Sequence, residues 1–182
     1  PLLHMHRRGG SGRTVLLDVA LNGKARAEDW PRMLAHLDAG YDVVSFDLRG
    51  VGETRMRYRA VSGDDPAIAP PDEEEAYTSP LSGVLANYVY NSLLIGRPYF
   101  LELLEDVEIA VRFSRVKLGA QRIVVSGRGD GQTLASAASE VLPGVEWLAD
   151  PTAQPFRWSA AVESLRETWP IHYLLPGGAY LK

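Results

Sequence analysis

Gly127-Arg128-Gly129-Asp130-Gly131 carries the residue spacing most suggestive of chemistry in this chain. It follows the β-branched run R-I-V-V-S (122–126) and precedes the small-residue stretch Q-T-L-A-S-A-A-S-E (132–140). That pattern predicts a buried strand over Arg122 to Val125, a tight turn, and a helix from Gln132 to Val141. Two kinds of site are built on such a unit. In a G-x-S-x-G elbow, glycines permit a strained turn that exposes a serine for acyl transfer. In a phosphate or dinucleotide loop, they let backbone N–H groups approach an anion at a helix N-terminus. Aligned as an elbow, the frame is complete but Gly129 stands at the nucleophile position. Ser126 comes three residues early, and Asp130 is flanked two residues away by Arg128 and Gln132 rather than by glycines.

Each reading makes further demands. Acyl transfer by a serine needs a histidine base and an orienting acid, in the chain order Ser, Asp/Glu, His. After Gly131 the chain offers Asp150, which follows the next strand directly, and His172, which follows Trp169-Pro170. The nucleotide alternative draws on the same Asp150 as the acid roughly twenty residues beyond a fingerprint. It is opposed by Gln132 in the place of the last glycine and by the negative charge of Asp130. Arg128-Gly129-Asp130 also spells an adhesion tripeptide, which at a buried elbow is read as chance.

The elements that must position these residues are legible in order. Pro1 to Met5 suits a short strand at the head of a connector (1–12) rich in glycine. His4 and His6 would share one strand face as an exposed terminal pair. Arg13 to Ala20 is apolar with almost no alternation, as expected of a strand buried on both faces. It leads into Leu21-Asn22-Gly23-Lys24, where Asn22-Gly23 makes a good turn pair. Glu28 to Ala39 places Trp30, Met33, Leu34 and Leu37 at helical spacing, with Gly40 as the stop. Tyr41 to Leu48 is the next strand, and Asp47 and Arg49 are expected to pin the following turn by local hydrogen bonds. Residues 62–80, with four prolines and the acidic run Asp72-Glu73-Glu74-Glu75, read as a solvated surface loop. Leu81 to Gly96 is apolar and carries Tyr88 and Tyr90. An amphipathic helix runs from Pro98 to about Leu118, with its acids weighted to the first half. Val145 to Ala149 is a short strand, 160–169 a modest helix, and 171–182 contains a Pro-Gly-Gly loop. Strands alternating with helices predict an α/β three-layer sandwich with a mainly parallel sheet, strands 13–20, 42–48, 121–126 and 145–149 being neighbours in it.

Composition narrows the classes of function. Apolar residues at 46% and charged ones at 23% of 182 residues describe one globular domain with a core that needs no disulfides. The absence of cysteine removes thiolate catalysis and thiolate metal sites. A net charge of −4 makes no electrostatic case for nucleic acid or an anionic membrane. No apolar run approaches the roughly 18 residues of a spanning helix. No metal and no cofactor are expected. The chain opens on Pro1 without a signal-peptide pattern, so it is expected to be a piece of a longer polypeptide and to pack against its other domains.

Three segments together resemble the α/β-hydrolase superfamily, within it the bacterial acetyl xylan esterase-like or prolyl-oligopeptidase-like group. V-V-S-F-D-L-R-G-V-G-E-T (43–54) resembles the strand and turn after the oxyanion loop. L-L-I-G-R-P-Y-F-L-E-L-L-E-D-V-E-I-A-V (93–111) resembles the segment leading to the elbow. R-I-V-V-S-G-R-G-D-G (122–131) then falls where the elbow belongs. The resemblance covers the chain from about Arg13 onward and implies a partial α/β-hydrolase fold. It implies oxyanion donors in the Asn22-Gly23-Lys24 loop and at the N–H of Asp130, and an ester of a carbohydrate as substrate. With Gly129 in place of the serine it implies a degenerate, non-catalytic elbow. The alternatives are a nucleotide-binding domain using 127–131, or an esterase whose site is completed outside this chain.

Overall fold

The computed structural model describes residues 1–9, 13–56 and 83–150. The surface loop at 62–80, the acidic run at 72–75, the helix at 160–169, the 171–182 segment and His172 lie outside the described residues. The chain separates into two compact units, Pro1–Thr54 with Leu103–Phe156, and Arg55–Glu102 with Arg157–Lys182.

The first unit is built on a mixed, mostly parallel sheet of five strands: β1 (Leu2–Met5), β2 (Thr14–Val19), β3 (Asp42–Phe46), β4 (Arg122–Gly127) and β5 (Val145–Trp147). Their order is β1-β3-β2-β4-β5. The four strands expected to be parallel neighbours are so, in the order β3-β2-β4-β5. β1 adds an antiparallel edge on β3, with Leu2 opposite Phe46 and Met5 opposite Val43. The lack of alternation in β2 and β3 is explained by burial on both faces. Thr14–Val19 is enclosed from Val15 onward, and all of Asp42–Phe46 is buried.

Helix α1 (Trp30–Asp38) follows a 3-10 turn at Ala27–Asp29 and has Pro31 in its first turn, where the missing N–H costs nothing. It ends as expected at Gly40, which takes a left-handed φ of 94°. The Gly40 N–H donates to Leu37 O and the Tyr41 N–H to His36 O, the paired bonds of a Schellman stop. Met33 joins Leu16, Val43 and Val124 in a core cluster edged by Leu37, Ala25 and Tyr41. Trp30 and Leu34, expected on the inner stripe, are instead 40% and 51% exposed. The reason is that α1 turns Arg32 and Met33 inward, because Arg32 has a buried carboxylate to meet.

Helix α2 (Gly83–Leu94) belongs to the second unit, as does the start of α3 (Tyr99–Lys117), where Tyr88 and Tyr99 stack at 5.7 Å between ring centroids. The rest of α3 belongs to the first unit and buries Leu103, Leu104, Val107, Ala110 and Val111, a stripe at helical spacing. Helix α4 (Gly131–Val141) packs on β4, β2 and β5 through Leu134, Ala135 and Ala138. Among the described residues no helix is long and apolar enough to cross a membrane.

Candidate functional site: the turns at the C-terminal edge of the sheet

Because β2, β3 and β4 run in parallel, the loops that follow them meet at one edge of the sheet. The glycine turn follows β4. The Arg128 N–H donates to Val19 O, and Gly131, Gln132 and Thr133 donate to Arg128 O, Gly129 O and Asp130 O as α4 begins. Gly129 has φ 52°, as expected of the apex, and a Cβ built there would meet nothing within 4 Å. The two outer glycines are different. A Cβ on Gly127 would lie 2.2 Å from Gly131 O, and one on Gly131 would lie 2.4 Å from Val19 O. Strand, turn and helix thus approach too closely for any side chain at 127 or 131, while the crest stays open. Asp130 is the N-cap of α4 and makes no side-chain cap bond.

The loop after β2 lies across from this turn. Arg128 Nη2 donates to Asn22 Oδ1 at 3.0 Å, joining the two loops. Of the expected oxyanion donors, Lys24 directs its N–H to Asp47 Oδ1 at 2.7 Å. Gly23 is buried with φ 104°, packed beside Gly52 and Asp47.

The turn after β3 behaves as expected at Asp47. Its carboxylate also accepts from Lys24 Nζ at 2.8 Å and the Glu53 N–H at 3.0 Å. Burial alone would push the Asp47 carboxyl up, but the hydrogen bonds from Lys24 and Glu53 outweigh it and hold it below its ordinary range. Burial likewise works against the Lys24 ammonium, yet its bonds to Asp47 and Glu53 raise it above the usual lysine value. Arg49 acts at longer range than expected. Its backbone N–H donates to Asp106 Oδ2 at 2.7 Å and its Nη2 to Asp106 Oδ1 at 2.7 Å, tying the turn to α3.

Beneath the glycine turn lies a group of charges that spacing alone did not single out. Asp18, paired in register with Ser45 and Ser126, forms a buried polar row across three strands. Ser126 therefore belongs to this row within β4, not to the crest. Asp18 Oδ2 accepts from Ser45 Oγ at 3.4 Å, and Asp18 Oδ1 lies 2.6 Å from Arg32 Nη1. Arg32 Nη2 is 3.7 Å from Asp29 Oδ1, which is 2.9 Å from Arg128 Nε; Arg128 is also 3.7 Å from Glu28. Charges thus alternate Asp18, Arg32, Asp29, Arg128 from the sheet to the turn, both acids only 1% exposed. The pairs are close, yet Arg32 and Asp29 make no well-aligned hydrogen bond, so Coulomb attraction rather than directed bonding holds the chain of charges. His36, half-buried on α1, is held below the ordinary histidine value by burial first and by Arg32 second. The sequence did carry a signal for the row: T-V-L-L-D-V, D-V-V-S-F and R-I-V-V-S-G each place one polar residue near the end of an apolar run.

The remaining candidates stand apart from this edge or contribute no ligand set. His4 and His6 share a face and stack at 5.3 Å, but His4 is half-buried, with Nε2 3.7 Å from Asp42 Oδ2, so the pair is not simply an exposed one. Among the described residues no three His, Asp or Glu side chains are grouped to hold a metal. Asp150 is half-buried beyond the end of β5. No family model matches the chain, and no curated protein matches it.

Proposed function

We propose that this chain is an α/β-hydrolase-like domain, akin to the acetyl xylan esterase-like group, in which a nucleophile elbow persists as a structural turn and acyl transfer has been lost. One observation carries the reading. Gly127 and Gly131 are obligatory by close approach, while Gly129 between them has φ 52° and open space above it. That is the steric pattern of a turn shaped to present a side chain at its apex. The neighbourhood supports it, since the loop holding Asn22 and Gly23 follows the adjacent strand β2 and is bridged to the turn by Arg128. Glycine supplies no oxygen on which an acyl intermediate could form. One backbone donor of the would-be oxyanion loop, the Lys24 N–H, is committed to Asp47. His36, the described histidine nearest this edge in sequence, sits on α1 among Arg32 and Asp18 rather than after the turn. The substrate class suggested by the resemblance is an acetylated polysaccharide, which the domain would contact without cleaving.

The test is incubation of purified protein with p-nitrophenyl acetate and with a serine-directed fluorophosphonate. The expected outcome is turnover no greater than a denatured-protein control, and no stoichiometric labelling. Steady turnover with labelling at a single serine would overturn the proposal, and labelling at Ser126 would identify the polar row as the reactive centre.

A further inference from the structure

We infer that Asn22 is a site of self-catalysed deamidation in which Arg128 acts as the oxyanion stabiliser, a reaction independent of whether the turn descends from an elbow. Asn22 is exposed and precedes Gly23, so no β-carbon stands in the way when the backbone nitrogen of residue 23 closes on the side-chain amide. Gly23 has a φ of 104° and packs beside Gly52 and Asp47, so the loop carrying this pair is anchored next to the turn that holds Arg128. Arg128 Nη2 donates to Asn22 Oδ1 at 3.0 Å, the atom on which negative charge collects during the attack. A cationic donor fixed at that atom lowers the barrier as an oxyanion hole does.

The step balances without any redox partner. The Gly23 nitrogen gives its proton to water or hydroxide and attacks Asn22 Cγ, and the tetrahedral oxyanion forms at Oδ1 against the guanidinium. Nδ2 takes up a proton from water, and collapse breaks the Cγ–Nδ2 bond and expels ammonia, leaving a five-membered succinimide. Water then opens either carbonyl to give aspartate or isoaspartate. Aspartate would add a third acid beside Arg128, joining Asp29 and Glu28. Isoaspartate would lengthen the backbone between β2 and Lys24 and disturb the bonds that Lys24 makes to Asp47.

The experiment follows the protein at mildly alkaline pH by peptide mass mapping, with isoaspartyl methyltransferase labelling to separate the two products. Asn87 and Asn91, the chain's other asparagines, both on α2, are internal controls. Conversion at Asn22 should be first-order and faster than at either control. Arg128→Ala should slow it about tenfold, less than the ~10²-fold loss typical of a buried oxyanion donor because this one is partly solvated. Arg128→Lys should recover most of the rate, and all variants should convert alike in denaturant. If Arg128→Ala does not fold, Arg128→Gln gives the same comparison with an uncharged donor. Conversion at Asn22 no faster than at Asn87, or a native-state rate unchanged or increased on removing the guanidinium charge, would overturn the inference.

Discussion

Two turns at the same sheet edge use glycine for opposite ends. After β4, Gly127 and Gly131 are forced by backbone approaching backbone, and the apex between them is left empty. After β3, Gly52 is forced by a side chain: its Cβ would lie 2.3 Å from Asp47 Oδ1, the carboxylate that organises the turn. The first turn keeps a place open and the second fills one. At these two turns, crowding explains Gly52, Gly127 and Gly131 but not Gly129, and what does the crowding, backbone in one turn and a carboxylate in the other, tells the two turns apart.

The contrast is most sharply broken at the outer glycines of the first turn. Gly127→Ala or Gly131→Ala drives a methyl group into backbone that belongs to a strand or a helix and cannot swing aside. Each should cost about 3 kcal/mol or more, measured by urea denaturation. A loss below roughly 1 kcal/mol at both positions would mean that the turn opens at little cost and that the distinction between the two turns is lost.

Next in size is the knot after β3. Asp47→Asn removes a buried charge that accepts from three donors and should cost about 2 kcal/mol. Its pH dependence is distinctive. Because the folded carboxyl titrates below its unfolded value, its contribution is complete above about pH 4 and is lost as pH falls through the folded value. The stability gap between wild type and variant should therefore be flat near neutrality and close in strong acid. A gap that widens in acid would contradict the bonding described for Asp47.

The smallest effect is expected at the apex. Gly129→Ser meets no neighbour and incurs only the strain of a side chain at φ 52°, about 1 kcal/mol. If the proposed loss of acyl transfer is right, it should fold and remain inactive on p-nitrophenyl acetate, because the members of a triad act as a unit. A loss as large as that at Gly131 would show the crest to be enclosed.

The parallel core was legible because V-L-L, V-V and I-V-V runs leave no face for solvent, and the glycine turn because its spacing has few other uses. β1 was only suggested by the short run from Pro1 to Met5. Its antiparallel pairing is decided by a register with β3 that no local pattern encodes. Trp30 and Leu34 lie exposed for a tertiary reason: Asp18, one carboxylate inside an apolar strand, pairs with Arg32, so the packed face of α1 runs through Arg32, Met33 and Leu37. Asp29 and Arg128 were visible as residues but not as partners, since about a hundred positions separate them along the chain. Pairings of that kind exist only once β2 and β4 are side by side.

β1 runs against its neighbour, with Leu2 opposite Phe46 and the Pro1 carbonyl accepting from the Asp47 N–H. Whatever is attached ahead of Pro1 therefore emerges at the edge that carries both glycine turns. An affinity handle or fluorophore placed there would report on, and could shield, that edge. One fused beyond Gly9 would interrupt the entry to β2 at the opposite end of the sheet. For labelling studies of this domain, the chain's first residue is thus a nearby observation post, and its use calls for a short spacer.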